Sequence, residues 1–332
     1  MENRQKKRGD RFDGYWLRDE VPAMNQFMGY LLPNRADNEA FIEQSIDLRP
    51  MDAFLAKKNA GLEKDKYSYF HVILAACVKC FVLRPRMNRF ISGNRIYQRD
   101  HISVAFVVKK RFEDSSSEGL AYKRYTGDDT IDTLHASILE EIYQCRRTDV
   151  EDNSNAFMQK LMRLPSWLLR IVVKILFKLD RKGKVPYDII RTDPNYASIF
   201  LTNLGSIGLD AGYHHLNNWG TNSFFGVIGK KHLAPEWHED GSCTVHPVLD
   251  LGLTLDERIG DGFYYSGTVR LLRKLLENPE LLPKMVAESG AHSTDLEAPE
   301  TAEHLCEKCK DYAACWKPTA EALWQAEHPE QA

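Results

Sequence analysis

At 332 residues, with 43% hydrophobic and 27% charged residues, the chain has ordinary globular composition and length for one large domain or two modest ones. A net charge of −3 supplies no global attraction to nucleic acid, and no apolar run reaches transmembrane length. Seven cysteines behind the polar start MENRQKKRGDR argue against a secreted disulfide framework, so a cytoplasmic protein is expected.

Residues 12–66 carry short apolar groups broken by Pro22, Pro33 and Pro50. Tyr67–Leu83 follows the helical period and ends before Pro85. Cys77 and Cys80 share a face of that helix, where core thiols are expected rather than a redox pair. His101–Val108 alternates as a strand, Ser115–Ser117 marks a loop, and Ile131–Arg146 is a second helix with Asp128 or Asp129 as its cap.

A further helix starts after Leu164-Pro165-Ser166. Residues 155–184 hold eight Lys/Arg and one Asp, and Arg170, Lys174 and Lys178 repeat at intervals of four. Such a helix can lie on an anionic membrane or form a lid over an acyl chain or a CoA phosphate. The expectation is the simpler reading, a surface helix packing its apolar side on the core.

Ala197–Thr202 reads as a buried strand and Asn203–Ser206 as a turn, before the pair His214-His215 and a short strand Phe224–Ile228. Thr244–Leu255 alternates cleanly and runs into Asp256-Glu257-Arg258, an Asp261-Gly262 turn and an amphipathic helix. From residue 287 the composition becomes polar and acidic, with ten Asp/Glu against three Lys/Arg, placing a boundary near 286 between a 1–286 domain and a 287–332 tail. In that tail His304, Cys306, Cys309 and Cys315 offer four soft ligands, enough for a zinc site, with free thiols as the other reading.

Three blocks resemble the chloramphenicol acetyltransferase superfamily, which includes the acyltransferase component of 2-oxo acid dehydrogenase complexes. The Tyr67–Leu83 helix with Pro85–Phe90 is similar to the family's helix and its continuation. FLTNLGSIG at 200–208 is similar to its T-I-S-N-L-G strand and turn. LDERIGDG at 255–262 resembles the DHRxxDG signature, matched at Asp256, Arg258, Asp261 and Gly262, with Glu257 where the family has histidine. The resemblance spans roughly residues 12–285. It implies a two-layer α/β sandwich, a large mostly antiparallel sheet with helices on one face. It also implies a homotrimer with sites between subunits, using CoA or acyl-CoA as co-substrate. No lipoyl-type segment precedes the matched region, so a stand-alone transferase is expected.

Acyl transfer from a thioester needs a base on the acceptor and a donor to the tetrahedral oxyanion. Thr202 matches the family's oxyanion hydroxyl, and Asp261 matches the aspartate that orients the loop. A glutamate's ordinary pKa is about 4.3, against about 6.5 for histidine, so it is the weaker base unless burial raises it. Three outcomes stay open: Glu257 acts as a re-tuned base, His214 or His215 takes over, or the protein is an inactive ligand-binding or scaffold relative.

Overall fold

The computed structural model describes residues 4–109, 118–147, 159, 161–190 and 193–284. Strands β1 (Gly14–Trp16), β3 (Arg89–Ser92) and β4 (Arg95–Arg99) form a small antiparallel sheet in the order β1-β4-β3. The large sheet uses β2 (Glu39–Asp47), β5 (Ile102–Lys109), β6 (Glu118–Tyr125), β7 (Ile199–Asn203), β8 (Phe224–Trp237) and β9 (Cys243–Asp256). Its order is β2-β9-β8-β7-β5-β6. Pairing is parallel at β5–β7 and β7–β8 and antiparallel elsewhere, so the sheet is mixed and mostly antiparallel, as expected.

Helices α1 (Ala23–Leu31), α2 (Arg49–Lys58), α3 (Tyr69–Leu83), α4 (Ile131–Arg147), α5 (Ser166–Arg181), α6 (Tyr187–Ile190) and α7 (Gly262–Glu277) accompany the sheets, with short 3-10 turns between elements. The central helix, α3, is apolar all round and is buried on nearly every side from His71 to Phe81. Ser68 and His71 form its capping box, which is why the helix begins two residues after the predicted Tyr67. Its Lys79 ammonium, also buried, donates to the carbonyls of Leu281 and Lys284 and pins the segment after α7 to the helix layer. Cys77 and Cys80 are buried, free thiols that burial pushes up, Cys77 to about 12, as core residues should be.

Leu249, Leu251, Leu253 and Leu255 of β9 face this helix layer, following their alternation in sequence. β8 runs to Trp237, beyond the predicted end at Ile228. A register shift between Ile228 and Lys231 redirects it, and its outer half pairs with β9 beyond the core, exposing Leu233, Trp237 and Val245. Core alternation stops there, which hid the strand. The edge strand β2 carries no clear strand pattern in sequence, because charged Glu39, Glu43 and Asp47 punctuate it, as suits a sheet edge.

Among the described residues the other face of the sheet carries no helix layer at its centre. The segment after β7 crosses it closely: a Cβ on Gly252 would lie 2.0 Å from the Gly212 carbonyl oxygen, and one on Gly229 would lie 2.4 Å from the Ala211 amide. Leu216, Phe225 and Val227 form a small core beneath this segment. Among the described residues no helix is long and apolar enough to cross a membrane.

Candidate active site

β9 ends in a buried ionic staple. Asp256 is fully buried, and its carboxylate takes Arg258 in a two-pronged contact, Nε at 2.8 Å and Nη2 at 2.6 Å. Arg35 Nε lies 3.6 Å from the same carboxylate. Arg258 Nη1 donates to the Leu32 carbonyl at 2.7 Å, and Arg35 Nη2 donates to the carbonyls of Ile91 at 3.0 Å and Gly220 at 3.1 Å. Burial pulls the Arg35 guanidinium down to about 10, with Asp256 opposing, so it stays charged at neutral pH. Asp256 also accepts from the Arg258 amide at 3.2 Å, capping the short 3-10 turn Glu257–Ile259. Two of the four matched signature residues are therefore spent on fixing the loop. Asp261 is spent similarly: it caps α7 by accepting from the Tyr264 amide at 2.7 Å.

Glu257 differs from its neighbours. Its amide donates to the Asn38 carbonyl at 2.9 Å, while its carboxylate is exposed and has no hydrogen bond or ion pair among the described residues. It lines a cleft of about 670 Å³ between β2, through Ile42 and Gln44, and α7, through Arg270 and Arg273. Arg273 donates to Gln44 Oε1 across it at 2.8 Å. These two arginines escaped the sequence reading; their only signal there was the cationic i, i+3 repeat in RLLRK at 270–274.

Thr202 lies elsewhere. It pairs with Val227 of β8, which pairs with Gly252 of β9, five positions before Glu257. Strand rise and spacing put about 20 Å between Thr202 and Glu257 within one chain. They also face opposite ways. Thr202 follows the face of Phe200, whose ring packs on Phe225 at 4.7 Å on the side of the sheet away from α3, whereas Glu257 opens toward α7. The Thr202 hydroxyl is half-buried and makes no hydrogen bond among the described residues.

The histidine pair shares the Thr202 face. His214 stacks on Phe225, ring centroids 4.3 Å apart and planes within 6°. His215 Nδ1 donates to Glu39 Oε2 at 2.8 Å, with the imidazole 83% and the carboxylate 3% exposed. The Leu216 amide also donates to Glu39. Glu39 stands directly opposite Asp256 across the β2–β9 ladder, so His215 is tied to β2, the strand beside the one that carries the signature, on the other face of the sheet. The sequence offered no sign of Glu39 as its partner. Among the described residues no group of three or more His, Cys, Asp or Glu is placed to hold a metal, and His304, Cys306, Cys309 and Cys315 lie outside them.

No protein-family model and no curated protein matches the chain. Solved structures do. A dihydrolipoamide acetyltransferase of Azotobacter vinelandii superposes with a TM-score of 0.52 at 17% identity, over 80% of this chain and 93% of that one. A probable dihydrolipoamide acetyltransferase of Listeria monocytogenes gives 0.51 at 14% identity, over 78% and 94%. The cubic core of the pyruvate dehydrogenase multienzyme complex gives 0.51 at 17%, over 80% and 93%. The chain has the fold of these acyltransferase domains, the one its three sequence blocks resemble.

Proposed function

We propose that this acyltransferase-fold chain is a stand-alone, CoA-dependent acyltransferase whose reaction centre is completed between copies, in a homotrimer. The separation of Glu257 from Thr202 carries this reading: one chain holds an exposed carboxylate in a cleft and, about 20 Å away on the opposite face of the sheet, a hydroxyl with no hydrogen bond among the described residues. Packing one copy's cleft on the next copy's Thr202 face would bring base and oxyanion donor together. It would also remove Glu257 from water, which is how a carboxylate gains basicity. Arg270 and Arg273 would supply cations for the phosphates of CoA. Glu257 would take the proton from the acceptor as it attacks the thioester carbonyl, and Thr202 would donate to the oxyanion. The intermediate would collapse by breaking the carbon–sulfur bond, Glu257 returning its proton to the departing sulfur so that CoA leaves as the thiol.

A second reading concerns the base alone. His215, held through Nδ1 by a buried carboxylate with its other nitrogen open to solvent, has the arrangement of an oriented histidine base. Titration calorimetry with CoA and acetyl-CoA, followed by acetyl transfer to a panel of small acceptors, tests both. Saturable binding of one CoA per chain, with turnover lost in Glu257→Gln and retained in His215→Gln, supports the main reading; the reverse pattern moves the base to His215. Binding without transfer identifies an inactive ligand-binding relative, and no binding of either ligand ends the CoA proposal.

A further inference from the structure

Helix α5 is anchored at one end. Asp180, near its C-terminus, is buried, accepts from Tyr196 Oη at 2.6 Å and from the Gly220 amide at 3.1 Å, and lies 3.9 Å from Arg11 Nη2. Phe177 packs on Trp219, ring centroids 5.6 Å apart, and Leu179 joins the small core of Val185, Ile190 and Tyr196. The earlier turns do not pack as the sequence led us to expect. Trp167 is 66%, Ile171 48% and Ile175 52% exposed, and Met162, just before the helix, is 72% exposed.

These side chains are not scattered. Trp167, Ile171 and Ile175 recur every four residues and form one row along the helix. Arg170, Lys174 and Lys178 form the adjacent row, each three residues beyond an apolar one. None of these three cations is in an ion pair among the described residues. Between residues 161 and 184 there are seven Lys/Arg and a single acid, Asp180, which is buried and bonded. The exposed side of the helix is thus apolar and cationic, with no acidic group.

We infer that α5 docks the protein on an anionic lipid bilayer. Trp167, Ile171 and Ile175 enter the boundary between headgroups and acyl chains, and Arg170, Lys174 and Lys178 meet lipid phosphates. Charge argues against a second copy in symmetric contact, which would set the basic row against itself. The exposed apolar row of Trp167, Ile171 and Ile175 suits the acyl boundary of a bilayer better than the polar, acidic residues 287–332. Sixteen residues span about 24 Å, so the helix lies along the surface rather than across the membrane. The inference is independent of the proposed chemistry.

Co-sedimentation of the full chain with phosphatidylcholine vesicles, with and without phosphatidylglycerol, is the test. Binding should require the anionic lipid, weaken at least tenfold when salt is raised several-fold, and fall about a hundredfold in the Arg170→Glu/Lys174→Glu/Lys178→Glu variant. Anionic vesicles should shift tryptophan emission to the blue in wild type, and the shift should vanish in Trp167→Phe. Equal binding of both vesicle types, or equal pelleting of wild type and charge variant, overturns the proposal. So does absence of binding with Trp167 shielded from iodide: a mass above monomer that falls in the charge variant gives the face to a second copy, and unchanged mass gives it to the chain's own acidic residues 287–332.

Discussion

Asp256 and Glu257 are neighbours in sequence and opposites in surroundings. The staple around Asp256 is closed: two arginines, drawn from residues 35 and 258, meet one carboxylate away from water. The cleft around Glu257 is open, and its carboxylate touches nothing charged among the described residues. The difference separates two uses of one signature. Its Asp and Arg hold the strand end in place whatever the protein does, so their retention carries no information about catalysis. Only the position of Glu257 bears on chemistry.

That contrast can be broken or sharpened by measuring stability, from the largest effect down. Asp256→Ala leaves two buried guanidinium groups without their counter-charge and should cost about 3–5 kcal/mol in denaturant unfolding; a loss below about 1 kcal/mol would show that the staple is not closed. His71, another buried ionisable group, extends the closed class to the helix layer. Burial, with His135 beside it, pulls its imidazole down to about 4. As pH falls below about 6.5 the unfolded chain takes up a proton that the folded one refuses, so this stability is present above pH 6.5 and is lost toward pH 4. The loss should be about 2–3 kcal/mol, and His71→Gln should flatten that part of the pH–stability curve.

Asp261→Ala removes one cap of α7 and should lower stability by about 1 kcal/mol, read as a small shift in the unfolding midpoint. Glu257→Gln should change stability by less than about 0.5 kcal/mol. On the proposed function it should nonetheless lower turnover at least about a hundredfold. A marked loss of stability in that variant would place Glu257 with the staple instead.

The parts legible in the sequence are those whose pattern is local. The period of α3, the leucine alternation of β9 and the Asp-Gly start of α7 each lie within a score of residues. The parts that stayed hidden depend on distant partners. Arg35 meets Asp256, and Glu39 meets His215 across 176 positions; neither short motif announces such a contact. The α5 helix is legible as amphipathic, but whether its apolar row is covered depends on what stands opposite, and among the described residues the packing partners fall mainly on its last turns.

The ladder between β2 and β9 also sets an order of events at birth. Glu39 pairs with Asp256 and Asp47 with Val248, so an edge strand made early has its partner made late. At a synthesis rate of about 5–20 residues per second, β2 waits about 10–40 s on the ribosome for β9 to follow. Until then β8 also lacks its main antiparallel neighbour, and two strand flanks stand open at once. Loop closure over that span makes this pairing slow, and any nascent chain stopped before Asp256 should be a chaperone client rather than a smaller folded protein.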